Sequence, residues 1–120
     1  MNQFVSEVGE THEALKAFFD PTPLQFNQYL SDLHGASVWL KREDLTPVRS
    51  YKLRGAYAFL INALHEQPER EVFVCSSAGN HAQGFAHACR AFKNRGIVFM
   101  PLTPPQQKIM KTEAFGAPIV

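Results

Sequence analysis

The sequence predicts an α/β fold, a parallel sheet with crossover helices, and three observations carry that reading. Two short continuous apolar runs, Val72-Phe73-Val74-Cys75 and Ile97-Val98-Phe99-Met100, have the composition of strands buried on both faces. Between and before them run apolar stripes of period 3.6, clearest at Leu53, Ala56, Tyr57, Leu60, Ile61 and Leu64. Strand and helix patterns then alternate to the last residue, the order that a parallel sheet with right-handed crossovers requires.

Each element has its own signal. Residues 1–20 read as a weakly amphipathic helix, with Ala14, Leu15, Phe18 and Phe19 at helical spacing, stopped by Pro21-Thr22-Pro23. Residues 24–33 read as a second short helix closed by His34-Gly35, and residues 38–40 as the first strand. Pro47 makes 43–50 a loop. The long stripe from Ser50 ends before Pro68. The strand at 72–75 is followed by Ser76-Ser77-Ala78-Gly79-Asn80, and then by a helix carrying Ala82, Phe85, Ala86, Cys89 and Phe92, stopped by Asn94-Arg95-Gly96. After the strand at 97–100, a third helix is expected to start with Thr103 as N-cap, Pro104 at the first position and Gln106 closing a capping box, and to end at Gly116. Ala117 to Val120 opens a further strand. The expected division is an N-terminal helical segment, 1–37, and an incomplete α/β unit, 38–120.

Composition narrows the function. In 120 residues, 45% apolar and 19% charged, with a formal net charge of +1, nothing suggests disorder, a fibrous repeat or a nucleic-acid footprint. The charge is uneven: residues 1–37 carry net −4 and residues 38–120 net +5. The densest basic stretch holds Lys41, Arg42, Arg49, Lys52 and Arg54, either a solvated surface or the surroundings of a small anion. No basic, apolar leader opens the chain, and no window approaches a membrane span. With only Cys75 and Cys89, a reduced, cytoplasmic setting is expected. His81 and His87 lie near these thiols, but His87 and Cys89, two apart on a helix, do not share a face, so the thiols are read as buried apolar groups and no metal site is expected.

In a parallel sheet, ligands bind beyond the carboxyl ends of the strands, which selects two segments: 43–52 and 76–81. Ser76-Ser77-Ala78-Gly79-Asn80-His81 joins a strand to a helix. Its small residues permit close backbone approach, and the helix start offers unpaired N–H groups to a carboxylate or phosphate. Equally, Ser77 or Asn80 could simply cap the helix. Lys52 would sit in the first turn of its helix with Arg54, two cations at the positive end of a dipole. Lys52 either points into water or forms an imine with a carbonyl compound. No glycine-rich dinucleotide loop or Walker loop is present. Glu43 and Asp44 are adjacent and should point to different sides.

The motifs also carry a resemblance. Lys41-Arg42-Glu43-Asp44-Leu45, followed by Ser50-Tyr51-Lys52-Leu53-Arg54-Gly55-Ala56, resembles the cofactor-attachment signature of the serine/threonine dehydratase family, fold type II enzymes that use pyridoxal 5'-phosphate. Ser76-Ser77-Ala78-Gly79-Asn80-His81-Ala82-Gln83-Gly84 resembles the second signature of that family, and Pro105-Gln106 with Lys108-Ile109 and Gly116-Ala117 the next segment. The segments Phe18-Phe19-Asp20-Pro21-Thr22-Pro23-Leu24 and Val38-Trp39-Leu40 are closer to the threonine-directed branch than to the serine-directed one.

The resemblance implies an amino-acid substrate (L-threonine, or L-serine), a lyase or racemase activity, and a homotetramer. It implies that Lys52 holds the cofactor as an imine and later moves the α-proton. It further implies that Asn80 bonds the cofactor's 3′-oxygen, that Tyr51, where the family usually has Phe, packs on the ring, and that Ser77, Gly79, Asn80 and His81 receive the substrate carboxylate. The family's glycine-rich phosphate loop has no counterpart in the sequence, which predicts the N-terminal part of a longer enzyme, inactive alone. The competing expectation is a non-catalytic binding module that kept the scaffold.

Overall fold

The computed structural model describes residues 2–101 and 106–120. Helix α1 spans Gln3–Leu15, capped by the Asn2 side chain, which accepts from Phe4 N. It stops before residue 20: Lys16 caps it, the residues to Phe18 form a turn, and only Leu15 is buried. Phe18 and Phe19 leave the helix and pack their rings against Tyr57, at 4.9 and 5.4 Å.

The expected helix at 24–33 divides in two. Leu24–Phe26 is strand β1, and α2 begins only at Gln28, after Asn27 caps it by accepting from Leu30 N. Gly35, in the left-handed region at φ 60°, closes α2 as expected. Strand β2, Trp39–Lys41, pairs antiparallel with β1, Phe26 opposite Trp39 and Leu24 opposite Lys41. The first strand therefore belongs to a separate two-stranded sheet and not to the parallel one. A single turn of 3₁₀ helix, Glu43–Leu45, begins the loop that follows.

Helix α3, Lys52–Glu66, buries Leu53, Ala56, Tyr57, Leu60 and Ala63, the predicted stripe. Strand β3, Val72–Ser76, and strand β4, Arg95–Phe99, pair in parallel around helix α4, Asn80–Ala91. Ile119 bridges to Val98 in the same sense, with Val120 N donating to Val98 O at 2.9 Å, so the final residues join the parallel sheet beside β4.

The two central strands are not buried on both faces within this chain. Phe73 and Cys75 face the core, while Val72 and Val74 are exposed. The helices cover one face only. Helix α5, Gln106–Ala114, packs on α4 and ends at Gly116, φ 90°. Its expected capping by Thr103 and Pro104 falls outside the described residues.

The core lies between α3, α4 and the sheet: Leu53, Tyr57, Leu60, Phe73, Phe85 and Val98 are almost fully buried, and Leu15 reaches it from α1. The tight α3–α4 packing depends on small residues, Ala56, Ala82, Gly84, Ala86 and Ala88. It places the first turns of the two helices side by side.

Candidate functional site

Lys52 is the first residue of α3. No side chain caps the helix in the usual way: Tyr51 stands at the cap position with helical angles. The turn is held instead by hydroxyls. Ser50 Oγ accepts from Lys52 N at 3.3 Å, and Thr46 Oγ1 accepts from Ser50 N at 2.9 Å. Arg49 sits at φ 57°, a conformation L residues rarely adopt, so the chain turns sharply just before the lysine. Lys52 Nζ lies 5.0 Å from the centre of the Tyr51 ring, and among the described residues it has no hydrogen bond or ion pair. Tyr51 is 60% exposed, leaving its ring open to a ligand.

Opposite Lys52 begins α4. Its cap is Gly79, extended, with no side-chain hydrogen bond, so neither Ser77 nor Asn80 caps it. Ser77 Oγ instead accepts from Gly79 N at 3.3 Å, and Ser77 N donates to Phe99 O at 3.1 Å, which anchors the loop to the end of β4. The first N–H groups of α4 are thus open at the positive end of its dipole. Asn80 and His81 are exposed, and among the described residues their side chains have no hydrogen-bond partner.

One contact joins the two halves. Gly84, one helical turn after Asn80 and on the same face, lies against the Lys52 backbone: a Cβ at Gly84 would stand 3.2 Å from Lys52 C and O and from Leu53 N. The structure therefore brings Lys52, Tyr51 and Asn80 to adjacent first turns, with the Ser77–Gly79 loop leading into one of them.

Two further groups take places that the sequence reading did not assign them. Gln83 is 7% exposed and lines a cavity of about 360 Å³ together with Asn80, Val48, Arg49, Lys111 and Phe115. Burial at i+3 from Asn80 was its only signal. Arg54 is not a free cation: Glu43 takes its guanidinium in a two-pronged ion pair, Nε to Oε2 at 2.9 Å and Nη2 to Oε1 at 2.9 Å. The hydrogen bond from Arg54, then that from Thr22, holds the Glu43 carboxyl below the usual carboxylate range against the opposing effect of burial. The anion that the two cations of α3 call for is therefore supplied in part by the protein. Asp44 points elsewhere, to Arg42, as adjacency predicts.

A wider groove of about 640 Å³ runs between α1 and α3, lined by Phe4, Val8, Leu15 and Ile61, and does not include Lys52. Among the described residues no group of three His, Cys, Asp or Glu could hold a metal ion. Cys75 and Cys89 are buried thiols.

The residues fit pyridoxal phosphate. A primary amine with no hydrogen bond or ion pair among the described residues stands beside an open aromatic face, an uncapped helix start and a glycine contact that leaves no side chain between them. Known proteins agree. The family model described as pyridoxal-phosphate dependent enzyme matches residues 15–120. The L-threonine dehydratase biosynthetic IlvA of Bacillus subtilis is 46% identical over 112 residues, 93% of this chain and 26% of that protein. The processed form of threonine deaminase isoform 2 from Solanum lycopersicum superposes with a TM-score of 0.85 at 32% identity, over 99% of this chain and 33% of that one. Serine racemase from Dictyostelium discoideum does so with a TM-score of 0.86 at 27% identity, over 96% and 38%. The chain spans about a quarter of the length of the curated relatives it matches.

Proposed function

As this chain belongs to the pyridoxal-phosphate dependent enzyme family, we propose that it carries the lysine-bearing part of a threonine dehydratase, a lyase that converts L-threonine to 2-oxobutanoate and ammonia. The single observation that carries this reading is the free Lys52 amine beside the open start of α4, in a chain with 46% identity to a biosynthetic threonine dehydratase. We assign it to the first step of isoleucine biosynthesis, in the cytoplasm, with the whole protein a homotetramer. No described helix is long and apolar enough to cross a membrane.

Pyridoxal phosphate, when bound, supplies an electron sink that acidifies the α C–H bond of an amino acid. Lys52 Nζ would hold it, the Tyr51 ring would cover one face of it, and the Asn80 carboxamide would bond its 3′-oxygen. The open N–H groups of Asn80 and His81, at the end of the Ser77–Gly79 loop, would take the substrate carboxylate, where the α4 dipole favours a negative charge. The Lys52 amine, once released, would accept the α-proton. The β-hydroxyl leaves as water, and one water returns as ammonia departs, so threonine equals 2-oxobutanoate plus ammonia.

The test incubates the protein with pyridoxal phosphate, reduces with borohydride and maps the adduct by mass spectrometry. A pyridoxyl group on Lys52 is expected, and its absence overturns the reading in favour of a non-catalytic scaffold. A second reading, serine dehydration or racemisation, is favoured by the similarity to serine racemase. Products from L-threonine and L-serine separate the two: 2-oxobutanoate in excess over pyruvate supports the first, and pyruvate in excess over 2-oxobutanoate, or D-serine, supports the second. The 120 residues by themselves are expected to release little keto acid, and robust turnover by them would contradict this.

A further inference from the structure

The Glu43–Arg54 ion pair closes a loop around the lysine. It links two residues eleven apart in sequence, and Tyr51 and Lys52 lie inside the span. Both partners are largely buried for charged groups, with side-chain exposures of 27% for Arg54 and 17% for Glu43. Each also has protein contacts on its other side. Thr22 donates to Glu43 Oε1, Lys41 Nζ donates to Thr22 O, and the Arg54 guanidinium lies 5.5 Å from the Phe19 ring centre. The pair thus fastens three chain segments to the first turn of α3: the residues before β1, the end of β2 and the 3₁₀ turn that carries Glu43.

The location matters because α3 has no capping side chain and no acidic residue in its first turn. Lys52 and Arg54 both stand there against the dipole. Residues two apart on a helix point to different faces, so Arg54 can be drawn toward Glu43 while Lys52 points the other way. Without the carboxylate, a partly buried guanidinium would lose its charge partner, a state relieved by swinging out to water or moving the turn.

We infer that Glu43, through Arg54, is a positioning residue for Lys52: the ion pair sets the start of α3 and hence where the amine meets its carbonyl partner. This rests on the reading of Lys52 as the cofactor lysine. Pyridoxal phosphate is the probe. The rate of borohydride-trapped labelling is measured at Lys52 and, in the same chain, at the exposed Lys93.

Glu43→Ala and Arg54→Ala should each slow labelling of Lys52 about tenfold while leaving Lys93 unchanged, and the double variant should be no slower than either single one. Glu43→Gln keeps the shape and one acceptor, serves as the test should the alanine variant fail to fold, and should lose only about threefold. Equal Lys52 labelling in wild type and both Glu43 variants overturns the inference and leaves the functional reading standing. Parallel losses at Lys52 and Lys93 also overturn it, since they signify general loss of structure. A wild-type protein unlabelled at Lys52 overturns the functional reading, and the inference with it.

Discussion

Gly84 meets the backbone of Lys52 with nothing but hydrogen on its α-carbon; a Cβ there would stand 3.2 Å from the Lys52 carbonyl carbon and oxygen. That separation is tighter than an ordinary contact, and the neighbour is backbone, which cannot rotate away. Gly84→Ala should therefore move the start of α3 by a few tenths of an ångström and destabilise the fold by about 1–3 kcal/mol. Gly84→Val should cost more. Chemical denaturation checks the stability, and pyridoxyl labelling of Lys52 should fall in the same order.

Lys52 itself contributes little to folding. It is exposed and has no hydrogen bond or ion pair among the described residues, so Lys52→Arg should change stability by less than about 0.5 kcal/mol. The variant keeps the charge but presents a guanidinium, which does not condense with a carbonyl as an amine does. Thermal melts should coincide with wild type, while labelling at position 52 disappears.

Tyr57 and His87 tie α3 to α4 below the site. Tyr57 is 1% exposed, and its hydroxyl oxygen lies 2.9 Å from His87 Nδ1. Tyr57→Phe keeps the ring packing against Phe18 and Phe92 and removes this bond, with an expected loss of about 1 kcal/mol. Urea unfolding at neutral pH measures it directly.

Acid should weaken the fold in two separable limbs. Burial, aided by the charge of Arg90, lowers the His87 ring below its ordinary 6.5, so the folded form holds fewer protons than the unfolded chain. Stability is then complete above about pH 6.5 and falls as pH drops toward the lowered value. Glu43 acts lower: its carboxyl, depressed by Arg54, stabilises the fold above the ordinary 4.5 and stops doing so as pH falls through the folded value. His87→Gln should reduce the upper limb alone and Glu43→Gln the lower limb alone, the latter only in part because Asp44 and Glu13 are lowered as well, in melts from pH 8 to 3.

The two thiols should be silent in the folded protein. Burial, then the neighbouring Cys75, pushes Cys89 up to about 12, and burial raises Cys75 as well. A thiolate-selective chromogenic reagent should titrate neither at pH 8 and both after unfolding. Fast reaction of either in the native protein would contradict the burial.

Much of the parallel unit was legible because its signals are local. The stripe from Leu53 to Leu64 specifies one face of a helix whatever it packs on, and β3 and β4 announce themselves as apolar runs. Leu24–Phe26 was misread because three residues show no period, and what makes them a strand is β2, lying beyond α2. The exposed edges of β3, Val72 and Val74, mark the same limit: composition favours a strand but does not say how many faces this chain covers.

The sequence by itself determined the kinds of groups available: an amine at Lys52 opening a helix, a small-residue loop running into Asn80, and thiols in apolar surroundings. Covalent structure and short-range periodicity suffice for that. Only the tertiary structure decided that Gly84 seats the Lys52 backbone, that Glu43 claims Arg54 and leaves Lys52 free, and that α4 begins without a side-chain cap. The first two are relations between residues 32 and 11 apart, made by helix packing and side-chain pairing across space, for which spacing along the chain carries no signal.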